Sequence, residues 1–126
     1  MTVPEEIARS KYVSLTTYRR DGTPVATPVW HVPRGDELIV VSEAGSWKVK
    51  RIRRDARVLV AVCDIRGRVR PDAATVDGTA RLLDDAGTRE ARELLARRYL
   101  MSRLGNAAAR LFRLRRPPMV GIAVTL

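Results

Sequence analysis

Residues 42 to 54 read Ser-Glu-Ala-Gly-Ser-Trp-Lys-Val-Lys-Arg-Ile-Arg-Arg, which puts five cationic side chains between two apolar, strand-like runs. A plain surface helix needs fewer positive charges and has acids to balance them. The stretch therefore points to something anionic. Ser46 is a good N-cap residue, and 47–54 can form about two helical turns behind it. Val49 and Ile52 lie three apart and can pack inward, while Lys50 and Arg54 take the other side. A helix N-terminus presents unpaired N–H groups and a partial positive charge, which suits phosphate. Two of the three lysines in the chain fall here, against twenty-one arginines overall. A compact ammonium is a good phosphate partner. A solvated basic helix is the plainer alternative for Lys48 and Lys50.

Other chemistry-bearing residues are sparse. The single cysteine, Cys63, excludes an intramolecular disulfide and a multi-thiolate metal site. A single histidine, His31, with no His/Cys cluster argues against zinc, so no metal site is expected. No Ser-His-Asp, paired-carboxylate or Cys-His constellation is evident, and no catalytic residue is assigned. His31 reads as a satisfied strand residue, and Cys63 as an inert thiol in an apolar strand. Trp30 and Trp47 can fill core or a dimer interface, and for Trp47 that reading is preferred.

Charge is unevenly distributed. The net charge of +10 divides into +7 over residues 48–70, +7 over 97–116 and −4 over the remainder. Such a field attracts anions, whether nucleic acid, a membrane surface or a polyanionic small molecule. At 126 residues and 45% hydrophobic composition the chain suits one domain, 1–126, with a real core. No segment reaches the roughly 18 to 20 apolar residues of a membrane span, and the acidic, amphipathic start is unlike a signal peptide. A soluble, cytoplasmic protein is expected, with no membrane partner.

The elements that must hold the basic stretch are mostly strands. A short helix over 4–10 precedes an alternating strand, 12–18, and Asp21-Gly22 gives a hairpin turn. The return strand runs from Val25 to Val32, with Pro28 at an edge or bulge. Arg34-Gly35-Asp36 turns into a third strand, 37–42, completing a three-strand antiparallel meander. After the 47–54 helix come strands over 57–63 and 74–83, the latter with Gly78 as a bulge. Helices over 88–99 and 106–114 precede a sixth strand, 119–124. The expected fold is mainly β with helices (α+β), a six-stranded antiparallel barrel.

Three strings carry a resemblance: KYVSLTTYRRDGTPVATPVW (11–30), GSWKVKRIRRDARV (45–58) and VDGTARLLDD (76–85). In order and spacing the chain resembles the pyridoxamine-phosphate-oxidase-like split-barrel flavin and deazaflavin oxidoreductases, and specifically their small coenzyme F420-dependent branch. The resemblance implies a homodimer of split barrels, with cofactor sites at the interface and a small-molecule substrate. It places Thr27, Pro28, Val29 and Trp30 along the ring system through backbone contacts. It places Ser42, Ser46, Lys48 and Lys50 at the phosphate, with Arg51 and Arg54 as further contacts to an oligoglutamate tail. FMN-using oxidases of the family carry an arginine near the position of Thr27, and its absence weakens the FMN alternative. The implied activity is hydride transfer from the reduced deazaflavin to a small unsaturated or conjugated acceptor.

The rival class, a nucleic-acid-binding basic barrel, would use the same charges. An aromatic content of 5% and the lack of recognisable stacking or helix-turn-helix patterns stand against it, so no nucleic acid is expected. A non-catalytic or haem-related binder on the same fold is a third class.

Overall fold

A computed structural model of the protein describes residues 3–99 and 118–126. In chain order the elements are α1 (Glu5–Arg9), β1 (Tyr12–Tyr18), β2 (Pro24–Val29), β3 (Val32–Arg34), β4 (Glu37–Glu43), α2 (Trp47–Arg54), β5 (Arg57–Cys63), β6 (Thr75–Leu82), α3 (Asp85–Tyr99) and β7 (Met119–Thr125). The strands form one antiparallel sheet in the order β2-β1-β5-β6-β7-β4-β3.

The outermost strands of that sheet, β2 and β3, are consecutive in the chain and separated only by Trp30 and His31. Three virtual bonds join the Cα atoms of Val29 and Val32, which therefore lie within roughly 11 Å of each other. The sheet must curl until its two edges nearly meet. No ladder joins them, so the barrel stays open along one seam. Val13, Leu15, Val40, Val60, Ile122 and Val124 fill its interior, and Val49 and Ile52 of α2 complete that core. A smaller cluster of Ile39, Ala91 and Ala123 binds α3 to the outside of β4 and β7.

Several sequence expectations are corrected. There are seven strands among the described residues, because the run expected from Val25 to Val32 breaks at Trp30-His31. Its halves belong to two hairpins at opposite edges, so there is no three-strand meander. An unbroken apolar run cannot reveal that its two ends pair with different neighbours. Gly78 is not a bulge, since the β5–β6 register runs through it without interruption. A Cβ there would lie 2.9 Å from the Thr125 carbonyl oxygen, so close backbone approach explains the glycine. Trp47 does not fill the core; it is 68% exposed. Helix α3 starts at Asp85 rather than 88, with Asp84 Oδ1 accepting the Gly87 N–H at 2.8 Å. The helix expected over 106–114, and most of the basic segment 97–116, lie outside the described residues.

Pro28 sits on the edge strand β2, as its missing donor requires. Gly22 and Gly35 hold positive φ (87° and 63°) in the two hairpin turns, where other residues are strained.

Candidate functional site

Helix α2 organises the site. Ser46 at its N-cap accepts the Val49 N–H through its side chain, a long contact of 3.4 Å. Two apolar residues three apart, Val49 and Ile52, anchor the helix in the core. The intervening positions then turn outward, which leaves the cations on the surface.

At the start of α2 three groups converge. Ser42 Oγ, at the end of β4, lies 3.2 Å from Ser46 Oγ, and Lys48 Nζ donates to Ser42 Oγ at 3.3 Å. Burial, then the Arg51 charge, hold the Lys48 ammonium below its ordinary pKa, with Glu43 opposing. A bound anion would reverse that penalty. Two hydroxyls, an ammonium and a helix N-terminus make a donor set that fits a phosphate.

Lys48 also lines a groove of about 320 Å³ with Tyr12, Pro28, Val29, Trp30, Val41 and Ile65. The groove follows the open edge of β2. Pro24 and Pro28 have no N–H, so they occupy the non-hydrogen-bonded positions of the β1–β2 ladder, opposite Tyr18 and Ser14. Ala26 shares their alternation. The Ala26 N–H and C=O and the Pro28 C=O therefore face away from β1 and have no partner among the described residues, whereas Thr27 and Val29 spend their backbone groups on Leu15 and Val13. Thr27 also does not line the groove with its side chain, and its Oγ1 is buried without a partner among the described residues. The loop after β5 supplies the opposite wall. Asp64 Oδ1 accepts the N–H groups of Arg66 and Arg68 at 2.9 Å. Gly67, at φ 82°, lets this loop approach Pro28, where a Cβ would sit 3.2 Å from Cδ.

On the other side of α2 a cavity of about 650 Å³ is lined by Arg19, Arg20, Trp47, Lys50, Arg51 and Arg54. Arg54 donates to the Tyr18 carbonyl, Lys50 Nζ lies 4.5 Å from the centre of the Trp47 ring, and Arg51 makes a 3.5 Å contact with Thr17 Oγ1. Among the described residues, none of Arg19, Arg20, Lys48, Lys50, Arg51 or Arg54 forms an ion pair, while Arg34, Arg57, Arg68 and Arg81 all do.

The expected site residues thus fall into two adjoining groups. Ser42, Ser46, Lys48, Pro28, Val29 and Trp30 gather at the groove, and Lys50, Arg51 and Arg54 at the basic cavity. Sequence reasoning missed Arg19 and Arg20, although an arginine pair beside a hairpin turn was a usable signal. It also missed Tyr12, Val41 and Ile65, which only the fold brings to the groove. His31 lies between strands rather than within one. It is fully buried, and Nε2–H donates to the Ser10 carbonyl at 2.9 Å, which leaves Nδ1 without a partner among the described residues. Burial, then Arg98, lower its pKa to about 4 against the opposing Ser10 bond. The Cys63 thiol is pushed up by burial and by Asp64, the opposite of an activated nucleophile. No helix among the described residues is long and apolar enough to cross a membrane.

Comparisons with known proteins agree with this geometry. No curated protein matches the chain. A solved F420 reductase is 25% identical, with 98% of this chain and 94% of that one covered at a TM-score of 0.66. A conserved hypothetical protein of Mycobacterium tuberculosis is 21% identical over 98% of this chain and 79% of that one, at a TM-score of 0.70. An FAD-binding protein of Mesorhizobium loti is 18% identical over 96% and 83%, at a TM-score of 0.65. The last two likenesses speak for the fold alone. Residues 2–125 match the family model described as pyridoxamine 5′-phosphate oxidase, and the chain therefore belongs to that family of split-barrel, flavin-binding oxidoreductases.

Proposed function

We propose that the chain uses coenzyme F420, and that its reaction reduces a small unsaturated or conjugated organic substrate. The observation that carries this reading is the set of six cations around α2, none of which forms an ion pair among the described residues. Ser42, Ser46 and Lys48 suit a single phosphate. Lys50, Arg51 and Arg54, joined by Arg19 and Arg20, suit the carboxylates of an oligoglutamate tail, which arginine can clasp bidentately. When bound, the reduced deazaflavin supplies the hydride. The protein would supply orientation and dryness: the Ala26 and Pro28 backbone groups that face away from β1 would take polar ring atoms, and Tyr12, Trp30 and Ile65 would exclude water. A homodimer is part of the reading, because a groove bounded by one protomer leaves a flat ring system open on one side.

FMN is the second reading, favoured by the fact that the serine–lysine phosphate site is complete without the outer cavity. The two readings separate cleanly. Fluorescence titration with coenzyme F420 and with FMN, at two salt concentrations, is expected to show tighter deazaflavin binding. Lys48→Ala is expected to weaken both ligands by about tenfold, a charge-assisted contact of roughly 1.5 kcal/mol. Lys50→Ala and Arg54→Ala are expected to weaken only the deazaflavin. Equal losses for both ligands at all three positions would transfer the assignment to FMN, and no saturable binding of either would end the cofactor reading. Affinity should also fall as pH rises through the lowered Lys48 pKa, where the ammonium loses its proton. Light scattering on the same samples tests the dimer; a monomeric mass with cofactor bound would exclude it.

A further inference from the structure

The Trp30–His31 junction has no strand partner, yet His31 is fully buried. Its backbone groups are met by a side chain from far along the chain. The His31 N–H donates to the Tyr99 hydroxyl at 3.1 Å. The hydroxyl hydrogen is shared between the His31 carbonyl at 2.8 Å and the Lys11 carbonyl at 2.9 Å. The Tyr99 ring stacks on Trp30, with centroids 4.7 Å apart and planes 4° from parallel. The neighbouring Arg98 donates to the carbonyls of Ala8 and Ser10 at 2.8 and 3.0 Å. The end of α3 thus ties the α1–β1 junction to the β2–β3 junction. Trp30, held in this way, is also a wall of the groove.

We propose that Tyr99 is a positioning residue for the groove: its hydroxyl fixes the backbone at His31 and its ring fixes the Trp30 indole against which a flat ligand packs. The proposal rests on reading the groove as the ring site of a flavin-type cofactor. Losing the hydroxyl leaves two buried backbone groups short of a partner, and the junction must shift to recover one. The shift moves Trp30, and with it the shape of the groove.

A Trp47→Phe background leaves Trp30 as the sole tryptophan, since the chain has two. In that background Tyr99→Phe keeps a stacking ring and removes the hydroxyl. It is expected to red-shift Trp30 emission and to weaken FMN or coenzyme F420, whichever the parent binds, by about tenfold. Val60→Ala, a cavity in the barrel core at a residue that does not line the groove, serves as the stability control. It should lower the melting temperature while leaving emission and affinity unchanged. Tyr99→Phe with parental emission and affinity would overturn the proposal, as would equal effects from Val60→Ala. If the parent binds neither cofactor, the reading of the groove fails. The emission comparison then still decides whether Tyr99 holds Trp30.

Discussion

Burial makes His31 a stability determinant, with a window set by its pKa. The folded value is about 4, below the ordinary 6.5, so the folded state favours the neutral ring. The unfolded chain binds the additional proton between those values, and stability rises with pH there. The contribution is fully present above pH 6.5 and is lost as pH falls through 6.5 towards 4. A displacement of that size corresponds to about 3 kcal/mol. Asp55, lowered from 3.8 to about 2 by its bonds to Arg57, acts in a separate window: its contribution is present above 3.8 and lost towards 2. Urea unfolding from pH 4 to 7 should therefore show a slope that His31→Asn flattens, the variant being less stable at pH 7. A wild-type curve flat across that range would contradict the assignment. None of this was legible in the sequence, where a lone histidine in an apolar run looks like any strand residue.

The elements were legible where local chemistry decides them. Ser46, the Val49–Ile52 spacing and the flanking cations define α2, and Asp21-Gly22 with Gly35-Asp36 define the turns. Partnership between elements was not, because it depends on which edge each strand reaches. Gly78 shows the difference. A sequence suggests a bulge there, whereas the fold has a carbonyl of β7 where a side chain would be. Gly78→Ala should cost about 2 kcal/mol, since a backbone atom has to give way. Gly121→Ala should cost less, because the nearest obstacle at 2.9 Å is the far end of the Leu83 side chain, with Ala91 Cβ at 3.2 Å and Thr88 Cα at 3.3 Å behind it. Denaturation midpoints test the ranking, and a neutral Gly78→Ala would refute the close-contact account.

At the scale of the molecule the charge asymmetry resolves into a place. Within the basic segment 48–70, Lys48 faces the groove and Lys50, Arg51 and Arg54 face the cavity on the other side of a single short helix, while Arg57, Arg68 and Arg70 have acids beside them. Composition indicated an anion, and only the fold shows that the cations of α2 divide between two recesses. The junction at Trp30-His31 has a further consequence, for motion. Strands at opposite ends of a sheet ordinarily fray independently. Here each hairpin is the anchor of the other, so releasing either one frees the buried pair between them and loosens both. Amide exchange at Val25, Thr27 and Val29 should therefore follow the same opening free energy as at Val32 and Arg34, though no hydrogen bond links the two strands. Exchange markedly faster at one edge, followed residue by residue by NMR, would show that the seam opens one side at a time.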